Sequence, residues 1–180
     1  MNRLLALTLA LFPCLLLAQG ELQFISESID FELNSDQFSA NGIYVFVNST
    51  NREIQQSILF PFAPKAVSVD IKRVYNLTYN QNLPYQFLSN SIIFKLIVFP
   101  TDTVLLNISY AQKTDIENIY ILTSTHAWKA PISEANYSLR FDPAIRIDSF
   151  SYKPDRVEGE VYFWEKSNFY PEYDFKILIK

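Results

Sequence analysis

Between residues 21 and 180 the apolar residues of this chain recur in short runs, and nowhere do they hold a 3.6-residue stripe over three helical turns. That absence constrains the fold more than any motif does. "IDFEL" (29–33) alternates apolar and acidic residues, as a strand with one face in water should. "GIYVFVN" (42–48) and "QSILFPF" (56–62) carry the branched and aromatic residues that suit a pleated surface. "AVSVDIKRV" (66–74) puts Val67, Val69 and Ile71 on one face and Ser68, Asp70 and Lys72 on the other. "SIIFKLIVF" (91–99) is apolar on both faces, which predicts a central strand. The turn-forming "PTD" (100–102) between it and "TVLLNISY" (103–110) predicts a hairpin.

"NIYILTS" (118–124), "NYSLRFD" (136–142), "IRIDSFSY" (145–152), "GEVYFW" (159–164) and "YDFKILI" (173–179) follow at similar spacing. The resulting ten or eleven strands, parted by Asn, Asp, Ser and Pro, predict an all-β fold. Its expected form is an antiparallel two-sheet sandwich of Ig-like, Greek-key type. The polar segment "NLTYNQNLPYQ" (76–86) reads as a long loop between the sheets rather than a domain boundary, so residues 21–180 are expected to form one domain.

The first twenty residues, "MNRLLALTLALFPCLLLAQG", have the form of a cleaved signal peptide. Arg3 supplies the positive start, Leu4 to Ala18 the apolar stretch, and Ala18 and Gly20 the small residues before a cut at Glu21. The apolar stretch is interrupted by Pro13 and is shorter than the roughly 20 residues of a membrane span. Cys14 lies inside it rather than at the cut, which argues against lipidation. The expected location is therefore periplasmic, cell-surface or extracellular, with no membrane span in the mature chain.

Loss of the leader would leave a cysteine-free chain with 14 Lys and Arg against 19 Asp and Glu, a net charge of −5. No disulfide can form in it. Its charges are dispersed, and no basic cluster offers itself to phosphates, so nucleic acid and anionic membranes are poor partners.

Only Gly42 and Gly159 would remain of the three glycines. Phosphate-cradling loops and dinucleotide fingerprints need several glycines, and a nucleophile elbow needs two around its serine. None of these can be written here.

His126 is the only histidine, and it stands two residues from Trp128 in "THAWKAP" (125–131). A lone histidine without a cysteine or second histidine makes neither a zinc site nor a nucleophilic triad, so a partly exposed loop residue is expected. No catalytic residue, metal site or cofactor is assigned. Calcium bound by Asp36, Asp102 or Asp142 lacks any loop motif. A carboxylate pair of the glycosidase kind is possible only by chance placement of surface acids.

The aromatic residues are the remaining candidates. Trp128 and Trp164, with Tyr120 or Tyr162, could stack on a sugar, although core packing is the simpler role for Trp164. The closing stretch is expected to turn Tyr173, Phe175, Ile177 and Ile179 toward the core. Four glycosylation sequons begin at Asn48, Asn76, Asn107 and Asn136, and matter only in a cell that glycosylates exported proteins.

The succession "NGIYVFVNSTNREIQQSILFPF", "DTVLLNISYAQ", "YILTSTHAWKAPISEANYSLRF" and "FYPEYDFKI" resembles that of uncharacterised exported bacterial β-sandwich proteins. The resemblance implies a fold and an export route and transfers no catalytic residue. The expected function is a non-catalytic envelope or surface accessory protein whose partner is another envelope protein or a glycan. A carbohydrate-binding module and a small carboxylate-based hydrolase are the alternatives.

Overall fold

The computed structural model describes residues 22–66 and 68–180. The expected signal peptide, residues 1–20 with Cys14, lies outside the described residues. The described residues form fourteen strands and one short 3₁₀ turn. They are β1 (Leu22–Leu33), β2 (Gln37–Asn48), β3 (Ile54–Pro61), β4 (Asp70–Asn76), β5 (Gln81–Asn82), β6 (Tyr85–Leu88) and β7 (Ser91–Val98). Then come β8 (Thr103–Lys113), β9 (Glu117–Tyr120), the turn Thr123–Trp128, β10 (Ile132–Phe141), β11 (Ile147–Phe150), β12 (Arg156–Glu158), β13 (Val161–Phe169) and β14 (Phe175–Ile179). The protein is all-β. Among the described residues no helix is long and apolar enough to cross a membrane.

One eight-stranded sheet has the order β12-β13-β10-β1-β2-β8-β4-β5, and two three-stranded sheets have the orders β3-β7-β6 and β11-β14-β9. The small sheets cover different parts of the large one. From β3 and its end, Phe60 meets Tyr44 at 5.6 Å and Phe62 meets Tyr110 at 4.9 Å, over β2 and β8. From β14 and β9, Phe175 meets Phe31 at 4.9 Å and Trp164 at 4.8 Å, and Tyr120 meets Phe31 at 5.3 Å. The core lies between the layers, and its largest buried side chains are aromatic: Trp164, Tyr110, Phe31, Phe38, Phe62 and Phe175.

Several expectations are corrected. β1 and β10 run parallel, in the register Ile29 to Tyr137, so the large sheet is not wholly antiparallel. β7 and β8 do not form a hairpin; β7 pairs with β3 and β6, whereas β8 pairs with β2 and β4. The chain passes from one sheet to the other at residues 99–102, where Thr101 has a φ of 56°. Both edges of β7 are occupied by β3 and β6, and the Asn48 amide ties down the end of the strand by donating to the carbonyls of Val98 and Phe99.

Segment 76–86 is not one long loop but a tight turn followed by β5, which pairs back onto β4. β4 starts only at Asp70, after Ser68 at a φ of 56°. β9 stops at Tyr120 rather than running to Ser124. Tyr173 lies exposed outside β14, and its ring stacks on Tyr152 at 4.5 Å.

β7 is central in its small sheet, as expected, but its second face is open to solvent. Ile97, Phe99 and the neighbouring Leu59 are exposed there, and Leu88 and Phe87 are exposed on the edge strand β6, where Phe87 shares the face of the inward Ile92. Three of the four sequon asparagines, Asn48, Asn76 and Asn107, are buried, and only Asn136 is exposed.

Candidate functional site

The two small sheets leave a gap over β1 and β2, and this gap is a cavity of about 460 Å³. Phe24 and Glu27 of β1 and Tyr44 and Phe46 of β2 form its floor. Ile58 and Phe60 of β3 form one wall, and Tyr120, Thr125 and Trp128 form the other. The cavity is thus bounded by all three sheets, and its size falls in the usual range for small-molecule sites.

A β-bulge decides what the floor contains. Between Phe24 and Ser26 the β1–β2 register slips by one residue, so Ile25 is the extra residue. Before the bulge Leu22 and Phe24 point inward; after it Glu27, Ile29, Phe31 and Leu33 do. A carboxyl group therefore sits in phase with three core hydrophobes, and Glu27 is only 3% exposed.

Glu27 is held by phenols. The Tyr137 hydroxyl of β10 donates to Oε1 at 2.6 Å, and the Tyr120 hydroxyl of β9 reaches Oε2 at 3.4 Å. Tyr120 shares a 2.9 Å hydrogen bond with the Tyr44 hydroxyl. Burial pushes the Glu27 carboxyl up to about 7, against the opposing hydrogen bonds of Tyr137 and Tyr120. Burial, and then the nearby Glu27 charge, push the Tyr44, Tyr120 and Tyr137 hydroxyls well above the ordinary phenol range.

Gly42 makes room for this cluster. It lies two residues before Tyr44 on the same inward face of β2. A Cβ at this position would fall on the Tyr44 ring and hydroxyl. The absent side chain lets the phenol fold back along the strand toward Tyr120.

The outer wall is the 3₁₀ turn containing His126 and Trp128. The Asp174 carboxylate accepts the backbone N–H groups of Leu122 at 3.0 Å and Thr123 at 2.9 Å, and the Thr123 hydroxyl at 2.8 Å. Capture of these donors ends β9 and starts the turn. Lys129, at a φ of 57°, closes it with an N–H donated to the His126 carbonyl at 3.0 Å.

His126 is a tether rather than a reactive group. Its Nε2–H donates to the Pro171 carbonyl at 2.6 Å, and its ring stacks on Tyr170 at 4.4 Å and 7°. Trp128 is half-buried and packs on Phe24 at 6.0 Å and Phe46 at 5.4 Å. It lines the cavity mouth.

The four aromatic candidates are thus separated. Trp128 and Tyr120 line the cavity. Trp164 is fully buried, with its indole N–H donated to the Tyr152 carbonyl at 2.8 Å. Tyr162 is half-buried against Phe141 and Phe150.

Glu27, Tyr44 and Tyr137 were not singled out by the sequence reading. The signal for Glu27 was present, because it lies two residues before Ile29 in the inward phase of β1. Among the described residues no three His, Cys, Asp or Glu side chains converge to hold a metal ion. Asp102 instead accepts the hydroxyl of the distant Tyr79 at 2.6 Å, and Asp142 accepts the Ala144 N–H within its own turn at 2.8 Å.

No protein-family model and no curated protein sequence matches the chain. Solved structures do share its fold. A candidate nutrient-binding protein from Legionella pneumophila is 15% identical, with a TM-score of 0.65 over 89% of this chain and 67% of that one. Leukotriene A4 hydrolase from Saccharomyces cerevisiae is 10% identical, with a TM-score of 0.56 over 88% of this chain. The match spans only 29% of the hydrolase. At these identities the likeness concerns the fold: this all-β arrangement occurs both in a candidate binding protein and as a minor part of a hydrolase.

Proposed function

We propose that this chain is an exported, non-catalytic β-sandwich module of one domain that binds a small molecule in the gap between its two three-stranded sheets. On this reading the large sheet is one layer of the sandwich and the two small sheets together make the other. The observation that carries the binding reading is the 460 Å³ cavity, lined by aromatic and aliphatic side chains around a single buried carboxyl group. Pockets of this kind, mostly apolar with a few convergent polar groups, are where ligands are usually held.

The non-catalytic part rests on the same lining. Glu27 is the one carboxylate among the lining residues, whereas hydrolysis by paired acids needs two. A flat sugar platform fits less well than an enclosed ligand. The Trp128 ring is tilted by 44° and 59° to Phe24 and Phe46 rather than coplanar with either.

The test is a small-molecule screen by thermal shift, repeated on an Ala127→Trp variant that blocks the cavity mouth. Ligands that stabilise the wild type should fail to stabilise the variant. Hits that stabilise both proteins equally would overturn the assignment to this cavity.

A second reading has its own observation. Leu59, Phe87, Leu88, Ile97 and Phe99 are exposed on and beside the β3-β7-β6 sheet. Apolar surface of that kind is what an envelope protein partner would cover. Replacing Ile97 and Phe99, which do not line the cavity, with Lys should then abolish co-purification of a partner while leaving small-molecule binding intact.

A further inference from the structure

Resting on the binding reading above, we propose that the cavity selects an organic cation: an ammonium group set against Glu27, with an apolar body among Phe24, Phe46 and Trp128. Three observations converge on this chemistry. The first is the isolation of the carboxyl group. Its hydrogen-bond partners, Tyr137 and Tyr120, are both neutral, and among the described residues no ion pair involves Glu27. A buried carboxylate without a counter-charge bears a large desolvation cost, which a bound cation offsets.

The second observation is unused acceptor capacity. A carboxylate offers about four lone-pair sites. Glu27 has one short hydrogen bond, on Oε1, and one long one of 3.4 Å on Oε2. Oε2 can therefore accept an ammonium N–H while Oε1 stays tied to Tyr137.

The third is the walls. Phe24, Tyr44, Phe46, Phe60 and Trp128 all line the cavity. Aromatic faces around a cation favour it by their quadrupoles, and more so where water is excluded. A neutral ligand can gain at most a hydrogen bond to Glu27 and no charge attraction, and an anion is repelled by the ionised carboxylate.

The other titratable and charged groups around Glu27 do not compete. Tyr44 of β2, Tyr110 of β8, Tyr120 of β9 and Tyr137 of β10 remain neutral phenols across the useful range, their pKa values all raised by burial. Lys129 lies exposed at the cavity rim and is not among the causes of the Glu27 shift. His126 belongs to the outer-wall turn but does not line the cavity; its ring is tied to the Pro171 carbonyl and stacked on Tyr170. Among the cavity-lining groups, charge change between pH 5.5 and 8 therefore belongs to Glu27.

Isothermal titration of the full chain with phenethylamine and its neutral isostere 2-phenylethanol tests the proposal. At pH 8 the amine should bind at least about tenfold more tightly than the alcohol, a difference of about 1.4 kcal/mol. Its affinity should fall about tenfold or more at pH 5.5, where Glu27 must first lose its proton, with proton release visible in buffers of different ionisation enthalpy. Glu27→Gln should erase the preference for the amine while changing the affinity for the alcohol far less. The wild-type comparisons need no variant, so they hold even if Glu27→Gln folds poorly. Equal binding of amine and alcohol would overturn the cation proposal while the binding reading stands. Binding of neither would overturn the proposal; the blocked-mouth screen then decides the reading separately.

Discussion

The Tyr137 hydroxyl donates to the Glu27 carboxyl group at 2.6 Å, from a strand that runs parallel to the strand carrying the acid. β1 and β10 are far apart in the chain, and their parallel register sets Ile29 beside Tyr137, two residues beyond Glu27. The hydrogen bond thus depends on a pairing that neighbouring strands could not supply. It is also the shortest contact holding a buried charge in this core.

Stability should fall as pH rises through the Glu27 titration. The folded-state value of about 7 lies above the ordinary 4.5, so the folded protein holds the proton more tightly than the unfolded chain does. The associated stability is present in full below 4.5 and is lost by the time pH passes 7, a change of about 3 kcal/mol. Urea denaturation of wild type and Glu27→Gln at pH 4.5, 6 and 8 isolates this group. The variant should match the wild type at low pH and exceed it at pH 8.

Tyr137→Phe should act in the opposite sense. It removes the short donor that favours the ionised acid, so Glu27 should titrate above 7 and stability at pH 8 should drop by about 1.5–3 kcal/mol. The loss should be smaller at pH 5, where Glu27 is protonated. A loss independent of pH would mean that the hydroxyl matters only to packing.

Gly42→Ala tests whether the glycine makes room for the phenol cluster. The added methyl group must displace the Tyr44 ring, which is 4% exposed and has little space to move. A cost of about 1–3 kcal/mol is expected, as for other overpacked core positions. Gly42→Ala in a Tyr44→Phe background should still be costly, because the ring itself occupies the space. Tyr44→Ala should relieve most of it.

The two tryptophans should behave differently on truncation. Trp164 is fully buried against Phe150 and Phe175, so Trp164→Ala should lose about 3–5 kcal/mol. Trp128 is half-buried at the cavity mouth, so Trp128→Ala should lose about 1–2 kcal/mol, in proportion to the smaller apolar area it covers. Thermal and chemical denaturation of both variants check the ranking, and equal losses would contradict it.

Asp174→Ala should loosen the cavity wall without unfolding the sheets. It removes three hydrogen bonds at the start of the 3₁₀ turn. A loss of about 1–3 kcal/mol is expected, confined to faster amide exchange over residues 122–128. His126→Ala should produce a weaker version of the same local effect, through loss of the Pro171 contact.

Much of the β content could be read from local pattern. Alternation in "IDFEL" predicts a strand with one face in water, and Ile29, Phe31 and Leu33 do share the inward face of β1 while Asp30 and Glu32 are exposed. The short strands β5, β6 and β12 were missed because each has only two to four residues, and none of those residues is buried. The hairpin expected around "PTD" failed because a turn signal says where a chain bends, not which sheet it enters next. Here the Asn48 side chain takes the carbonyls at the end of β7.

The site was less legible for a related reason. Trp128 and Tyr120 could be flagged by residue type, but the cavity between them depends on a split between two small sheets. Glu27 looked like one more solvated acid among the 19 Asp and Glu of a strand-rich chain.

What the sequence by itself determined is the strand-rich fold and the narrow range of chemistry open to a chain with one histidine and three glycines. Those follow from side-chain period and residue type, which are local properties. Only the tertiary structure decided that Glu27 is buried among Tyr44, Tyr120 and Tyr137, and that His126 ties a turn to the Pro171 loop. A bulge, a parallel pairing and the gap between two sheets set those contacts. Each depends on residues tens of positions apart meeting in space, and a local pattern carries no record of that.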